Sequence, residues 1–301
     1  MSSPVLVLVT RPSGATVPSS GPGADGAGFA LADPGLPHIS VLDLGVTRGD
    51  GIFESVSVIA GVAPAIEAHL DRFAASARAL DLPDPDRTVW SRAFEAAVAA
   101  HPDASTGANL AAKLVLTRGI EGDGRPTGWI VVQVARDFTA QRENGIRVVT
   151  LDRGYRHDVA TTSPWLLQGA KTLSYALNTA ALREAGRRGA DDVIFISSDG
   201  FVLEAPTASV LLREGDRFST PSAELGILPG TTQRRAFEFF SAEGFDTDAP
   251  RLRASELARA DAVWLLSSVR QAVPVIELDG RPLEADFALT RRLNAHLATT
   301  H

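Results

Sequence analysis

The 301 residues carry a formal net charge of -7 and 45% apolar residues, a balance that suits one large or two medium globular domains and leaves no basic footprint for nucleic acid. Cysteine is absent, which excludes disulfides, thiolate nucleophiles and cysteine-ligated zinc. No apolar run nears the roughly 18 residues that a membrane span needs, and the N-terminus lacks a basic-then-apolar leader pattern, so a cytoplasmic protein with no membrane partner is expected.

In chain order, "VLVLVT" (5–10) predicts a strand, and the Gly-, Pro- and Ser-rich stretch 11–35 predicts loop. Inside that loop "GPGADG" (21–26) matches G-x-G-x-x-G by letter, but no strand abuts it and no amphipathic helix follows, so it reads as loop. Ile66, Leu70, Phe73, Ala77 and Leu80 recur on one face of a helix over 66–80. A second helix is expected over 88–100. Strands over 109–119 and 128–136 flank the turn "GIEGDGRPTG", and polar "DFTAQRENG" (137–145) reads as a linker before a strand over 146–151.

The second half alternates more evenly. A helix is expected from just after 171 to about 188, then strands "DVIFIS" and "FVLEA" joined at an Asp-Gly turn, then the strand "ASVLLR". "LPGTTQRRAFEFFSAEG" reads as a Gly turn into a helix, "AVWLLSS" and "AVPVIELDG" as strands, and 284–299 as a closing helix. There is no internal repeat. Two α/β domains are expected, 1–137 and 138–301.

The chain has two lysines, Lys113 and Lys171, among 29 basic residues. A sequence so biased to arginine that keeps an amine within "QGAKTLSYALNTA" points to amine chemistry. An ε-amine condenses with a carbonyl, and a guanidinium does not do so usefully at neutral pH. A snorkelling surface lysine is the alternative, and Lys113, inside a strand pattern, is read that way. Three further places bear on Lys171. Glu204 ends an apolar strand, where its carboxylate either pairs with a protonated ring nitrogen or reaches water. Gly230, Thr231 and Thr232 open a helix, which makes either an anion site or an ordinary N-cap. Arg72 lies on the first helix, either as a phosphate fork or as a solvated arginine. An amine, a carboxylate and a phosphate cradle are the set that pyridoxal phosphate needs.

Six blocks in order carry a family resemblance from about 42 to 281: "RGDGIFESV", "HLDRFAASA", "AKTLSYALN", "GADDVIFISSDGFVLEAPTASVLL", "GILPGTTQR" and "ADAVWLLSSVRQAVPVIELDG". The sequence resembles the class IV, or fold type IV, pyridoxal 5'-phosphate enzymes, which include branched-chain and D-amino acid aminotransferases and 4-amino-4-deoxychorismate lyases. The resemblance implies an α/β (α+β) chain, with a smaller N-terminal domain and a larger C-terminal cofactor-binding domain of mixed sheets. It also implies a homodimer and a small-molecule substrate. On the matching positions, Lys171 is the Schiff-base lysine and Glu204 the partner of the pyridine nitrogen. Arg72, the Thr231 and Thr232 amides and Ser268 hold the phosphate, and Tyr175 bonds the ring oxygen. Ser268 stands where many relatives have threonine.

The substrate-side residues separate the members. D-amino acid enzymes trap the substrate carboxylate with a tyrosine where this chain has Phe53, and with an Arg-x-His element where it has Arg125, Pro126 and Thr127. Branched-chain enzymes carry an arginine where Ser57 stands. The lyase form "GDG-x-F" fits "RGDGIFES", and Arg118 of "LTRG" and Arg48 are the arginines expected to draw substrate carboxylates. The Gly-Arg-Gly-Tyr segment of familiar lyases is replaced by "EGDGRPTGW". The expected reaction is therefore conversion of 4-amino-4-deoxychorismate to 4-aminobenzoate and pyruvate, with an aminotransferase on D- or branched-chain amino acids as the alternative. A cofactor-free scaffold would not be expected to keep Lys171 and Glu204. A metal hydrolase is disfavoured because His38, His69, His101, His157, His296 and His301 show no ligand spacing.

Overall fold

The computed structural model describes residues 2–9 and 28–299; the letter match at 21–26 lies outside them. The chain divides into two compact units. One comprises the described residues to Arg136 together with Ala170–Ser174, and the other comprises Asp137–Gly169 and Tyr175–Thr299.

The first unit holds β1 (Val5–Val9), β2 (Phe29–Ala32), β3 (Gly51–Val58), β4 (Leu110–Thr117) and β5 (Thr127–Val134). They form an antiparallel sheet in the order β2-β1-β5-β4-β3. Its helices are α1 (Leu44–Thr47), α2 (Ile66–Ala79) and α3 (Arg87–Ala99). Alternation along the strands sets Ile52, Val56, Leu110, Leu114, Ile130 and Val132 on one buried face. Helix α2 lies against β3, and α3 against β1 and β5. The two helices meet where the Phe73 and Trp90 rings stand edge to face at 4.8 Å. The apolar face of α2 forms as its spacing predicts: Leu70, Phe73 and Ala77 are buried. The helix gives way at Leu80, after which Asp81 takes a φ of 50°. Strand β2 falls in the stretch expected to be loop. Edge pairing of Phe29–Ala32 with β1 uses backbone groups alone, so it leaves little mark in composition.

The second unit holds β6 (Ile146–Asp152), β7 (Asp192–Ile196), β8 (Ser209–Glu214), β9 (Arg217–Ser219), β10 (Asp246–Asp248), β11 (Ala262–Ser267), β12 (Gln271–Leu278) and β13 (Arg281–Pro282). Its helices are α4 (Thr139–Asn144), α5 (Val159–Thr162), α6 (Ala176–Arg187), α7 (Thr231–Ala242), α8 (Ala254–Leu257) and α9 (Phe287–Leu297). The sheet order is β10-β9-β8-β11-β12-β6-β7, with β13 on β12. It is mixed, parallel at β10/β9, β12/β6 and β6/β7 and antiparallel elsewhere. Central strands are buried on both faces. Val210, Leu212, Val263 and Leu265 enter one core, while Leu211, Trp264 and Leu266 enter another beneath Phe240 of α7 and Leu293 of α9. A third core sets Ala181 and Ala185 of α6 against Val193 and Phe195 of β7.

Two expectations are corrected in this unit. The polar stretch read as linker contains α4, which ends at Gly145 with a φ of 75°. The stretch "FVLEA" is not a strand. It makes isolated bridges, Ile196 with Val202 and Phe201 with Arg253, because the chain turns back where the Ala205 amide bonds the Ala208 carbonyl across Pro206. No helix among the described residues is long and apolar enough to cross a membrane. No cluster of three or more His, Asp or Glu among them is arranged to hold a metal.

Candidate active site

Lys171 belongs to the first unit, although its chain neighbours on both sides belong to the second. Its backbone is held on two sides. The Phe53 amide donates to the Lys171 carbonyl at 3.0 Å and the Leu173 amide to the Gly51 carbonyl at 2.8 Å, so 171–173 extends the edge of β3. The Lys171 amide donates to Ser76 Oγ of α2 at 3.1 Å. The glycines of "RGDG" make room for this: a Cβ on Gly49, whose φ is +70°, would lie 2.9 Å from Ser174 Oγ, and one on Gly51 would lie 2.8 Å from the Leu173 side chain and the Leu116 carbonyl. The amine Nζ lies 4.5 Å from the centroid of the Phe53 ring.

Beside it is a cluster that the sequence reading did not assemble. Glu54, fully buried in β3, receives Arg72 Nε on Oε1 at 2.7 Å and Arg72 Nη2 on Oε2 at 2.8 Å. His69 Nδ1 approaches Oε2 at 2.7 Å. Burial alone would raise the carboxyl's pKa, but the Arg72 charge and the bonds from Arg72 and His69 outweigh it and hold the pKa at about 2. Burial pushes His69 below its ordinary value against the pull of Glu54, and the Arg72 and Lys171 charges push the same way. Two signals for this cluster stood in the sequence: a glutamate inside an apolar strand, and His-x-x-Arg at i, i+3 on one helix face.

The two arginines expected on the substrate side fare differently. Arg48 is exposed at the end of α1. Arg118 has a structural task. Its Nε and Nη2 bond Asp50 at 2.7 and 3.2 Å, Nη2 also bonds the Leu80 carbonyl at 2.6 Å, and Nη1 bonds the Asp81 carbonyl at 3.3 Å. It ties the "GDG" turn to the end of α2.

In the second unit Glu204 accepts the Leu228 amide on Oε2 at 3.1 Å. The chain's two tyrosines, Tyr155 and Tyr175, both stand in its field. Burial, with the Glu204 charge added, raises both hydroxyls despite the opposing pull of Arg153. Tyr175 precedes α6 and donates its hydroxyl hydrogen to the Pro206 carbonyl at 2.6 Å, where Asn178 Nδ2 also donates at 2.8 Å. Tyr155, which the sequence reading passed over, bonds Arg153 Nε at 3.1 Å and Gln168.

The candidate anion cradle is the start of α7. Gly230 is the N-cap and supplies no side-chain cap; a Cβ there would lie 2.2 Å from Ser209 Oγ, so a larger residue does not fit. The twelve-residue helix thus opens with no side-chain cap from Gly230 and with the positive end of its dipole, and Thr231 and Thr232 are buried beside it. Ser268 opens the turn between β11 and β12. A phosphate fits the α7 terminus, and an aldehyde fits an amine held by its backbone, so the donor sets suit a phosphorylated aldehyde cofactor.

Fold and donor sets together define a pyridoxal-phosphate enzyme, and comparison with known proteins gives its family. The chain belongs to the class IV aminotransferase family, whose model matches residues 51–278. It is 43% identical over 261 residues, 84% of this chain and 90% of the relative, to a bifunctional aminodeoxychorismate lyase / D-amino acid transaminase of Mycobacterium tuberculosis. A solved fold IV-transaminase from Curtobacterium pusillum superposes with a TM-score of 0.91 at 54% identity, covering 98% of this chain and 97% of that one. An aminotransferase from Mycobacterium tuberculosis, solved with alpha-ketoglutarate and PMP bound, superposes with a TM-score of 0.87 at 38% identity over 97% of this chain and 99% of that one.

Proposed function

We propose that this enzyme converts 4-amino-4-deoxychorismate to 4-aminobenzoate and pyruvate, a step that would serve folate synthesis in the cytoplasm. The observation that carries the reading is the Phe53 ring beside the Lys171 amine. An aromatic wall without a hydroxyl suits a cyclic, apolar-faced substrate, where D-amino acid enzymes of the familiar type place a tyrosine. In the proposed reaction the Lys171 amine removes the proton from the ring carbon bearing the substrate nitrogen. The neighbouring carbon–oxygen bond breaks, and the enol that leaves becomes pyruvate on taking up a proton. Pyridoxal phosphate, when bound, supplies the aldehyde and the electron-accepting ring.

In this proposal Glu204 faces the ring nitrogen, Tyr175 the ring oxygen, and Arg72, Thr231, Thr232 and Ser268 the phosphate. Phe53 and Arg48 border the substrate. The same proton removal begins a transamination, and the double name of the Mycobacterium tuberculosis relative supports D-amino acid transamination as the second reading. We also propose a homodimer: Leu36, Val41, Leu42 and Val46 are all exposed on the first unit, an apolar group of the kind subunit contacts cover.

The deciding experiment offers the purified enzyme aminodeoxychorismate in one assay and a D- or L-amino acid with a keto acid in another. Formation of 4-aminobenzoate without appreciable transamination supports the first reading. Brisk transamination without 4-aminobenzoate reverses the order.

A further inference from the structure

Helix α2 presents a polar row within its buried face. His69, Arg72 and Ser76 stand at i, i+3 and i+7, which places them along one side of the helix. His69 and Ser76 are buried among the apolar contacts of Leu70, Phe73 and Ala77, where a polar side chain is costly unless it is bonded. His69 and Arg72 both meet the Glu54 carboxylate of β3. Ser76 reaches elsewhere: its Oγ accepts the Lys171 amide at 3.1 Å.

A second route joins the same two places. The Lys171 carbonyl accepts the Phe53 amide at 3.0 Å, and Phe53 precedes Glu54 on β3. Lys171 is thus tied to Arg72 by two paths, one through Ser76 along a turn of α2 and one through Phe53 and the Glu54 carboxylate. Together they close a ring. The strand bonds of Phe53 and Leu173 all lie along the edge of β3, and bonds along one edge let a short strip pivot about it. The bond from Ser76 comes from a different element and stops that pivot. Pyridoxal phosphate carries its aldehyde and its phosphate arm on adjacent ring carbons, so an amine and a phosphate fork that serve it need a fixed separation. Arg72 and Ser76 are about one helical turn apart, roughly 6 Å along the axis, and a packed helix does not stretch.

We propose that Ser76 is the positioning residue of Lys171, with α2 as the spacer that sets the amine against the phosphate fork of Arg72. The inference rests on the proposed roles of Lys171 and Arg72 and adds the residue that fixes their separation. Serine suits this place because its short hydroxyl reaches the Lys171 amide from a helix packed directly on β3. Alanine packs equally well but offers no acceptor. Small displacements of a reacting group are costly in rate even when nothing else in the site changes.

The test compares Ser76→Ala, which removes the acceptor, with Ser76→Thr, which keeps a hydroxyl, and with Ala77→Gly, which loosens the same turn without touching the bond. The cofactor-loaded enzyme is followed by hydrogen exchange over 168–178, by the pH titration of its visible band, and by kcat and KM in both proposed reactions. For Ser76→Ala we expect exchange over 170–173 to be about 10-fold faster, as loss of one hydrogen bond implies. We also expect the pH midpoint of the band to move, and kcat to fall about 10-fold with KM little changed. Ser76→Thr should recover most of this. Ala77→Gly should lower the melting temperature and leave the band and kcat alone. If the alanine variant does not fold, Ser76→Cys, of similar size and a weaker acceptor, is read in its place. Unmoved exchange, band and kcat in Ser76→Ala overturn this inference alone. The same losses in Ala77→Gly also overturn it, by reducing Ser76 to a packing role. A visible band that is missing from the unsubstituted enzyme, or that survives Lys171→Arg, overturns the proposed function itself, and this inference with it.

Discussion

Among the residues expected to carry the chemistry, the two units hold charge in different ways. The first uses side chains: Glu54 is fully enclosed and balanced by Arg72 and His69, and the Lys171 and Lys113 amines stand around Phe53. The second also buries an ion pair, Arg270 with Asp192 at 2.8 Å, but at the residues in question it offers backbone groups, the start of α7 for an anion and the Leu228 amide for Glu204. Side-chain charge in a low-dielectric site is potent and sensitive to single substitutions. Backbone donors are weaker singly, but no one substitution removes them. Substitutions in the Glu54 cluster should therefore cost more than single substitutions at the start of α7.

The largest expected effect is at Lys171. Replacement by arginine or alanine should lower turnover by roughly 10⁴-fold or more, because both the attacking amine and the base are lost. Far-UV circular dichroism should be unchanged, and substantial remaining turnover would remove the residue from its assigned role. Next comes Glu54→Ala, which leaves Arg72 buried without its counter-charge. A loss of about 3–5 kcal/mol is expected in denaturant unfolding, and a loss under 1 kcal/mol would show that the cluster is not a stabilising unit.

The same cluster sets the response to acid. Glu54 has a folded pKa of about 2 against 4.5 unfolded. Its contribution is thus fully present above pH 4.5 and disappears as pH falls towards 2, roughly 3 kcal/mol in all. His69 is lowered from 6.5, so the folded form resists its protonation and stability begins to fall as pH drops below 6.5. Unfolding measured from pH 7 to 3 should show both branches, and Glu54→Gln should flatten the lower one.

Effects at Glu204 and at the start of α7 should be smaller. Glu204→Gln is expected to reduce turnover about 100-fold with little change in melting temperature. Thr231→Ala and Thr232→Ala should each weaken cofactor retention only about 5-fold, since a neutral hydroxyl contributes about 1 kcal/mol and the amides of α7 remain. Equilibrium dialysis of pyridoxal phosphate reads this directly. A collapse of binding in either threonine variant would mean that the side chains, not the helix start, hold the phosphate.

How far the sequence reveals this arrangement depends on the range of the interaction. Helix α2 was legible because Leu70, Phe73 and Ala77 repeat at helical spacing, and β8 and β11 because apolar runs end at turn residues. The chain's arginine bias is what singles out Lys171. The contact of Glu54 with His69 and Arg72 was not, since it joins a strand to a helix 15 and 18 residues away and leaves no local periodicity. Placing 170–174 on β3 required the structure, because five residues bonded mainly through backbone carry no pattern of their own. The bonds of Arg118 to Asp50 show the same limit: a charge shows its sign in sequence, and only the fold shows which groups it faces.

One measurement addresses the central claim most directly. The enzyme loaded with pyridoxal phosphate is reduced with borohydride, digested, and its peptides mapped by mass spectrometry. With two lysines in the chain, there are two side-chain amines to distinguish. The account predicts the reduced cofactor on the peptide containing Lys171 and none on that containing Lys113; a label on Lys113, or on neither, would contradict it.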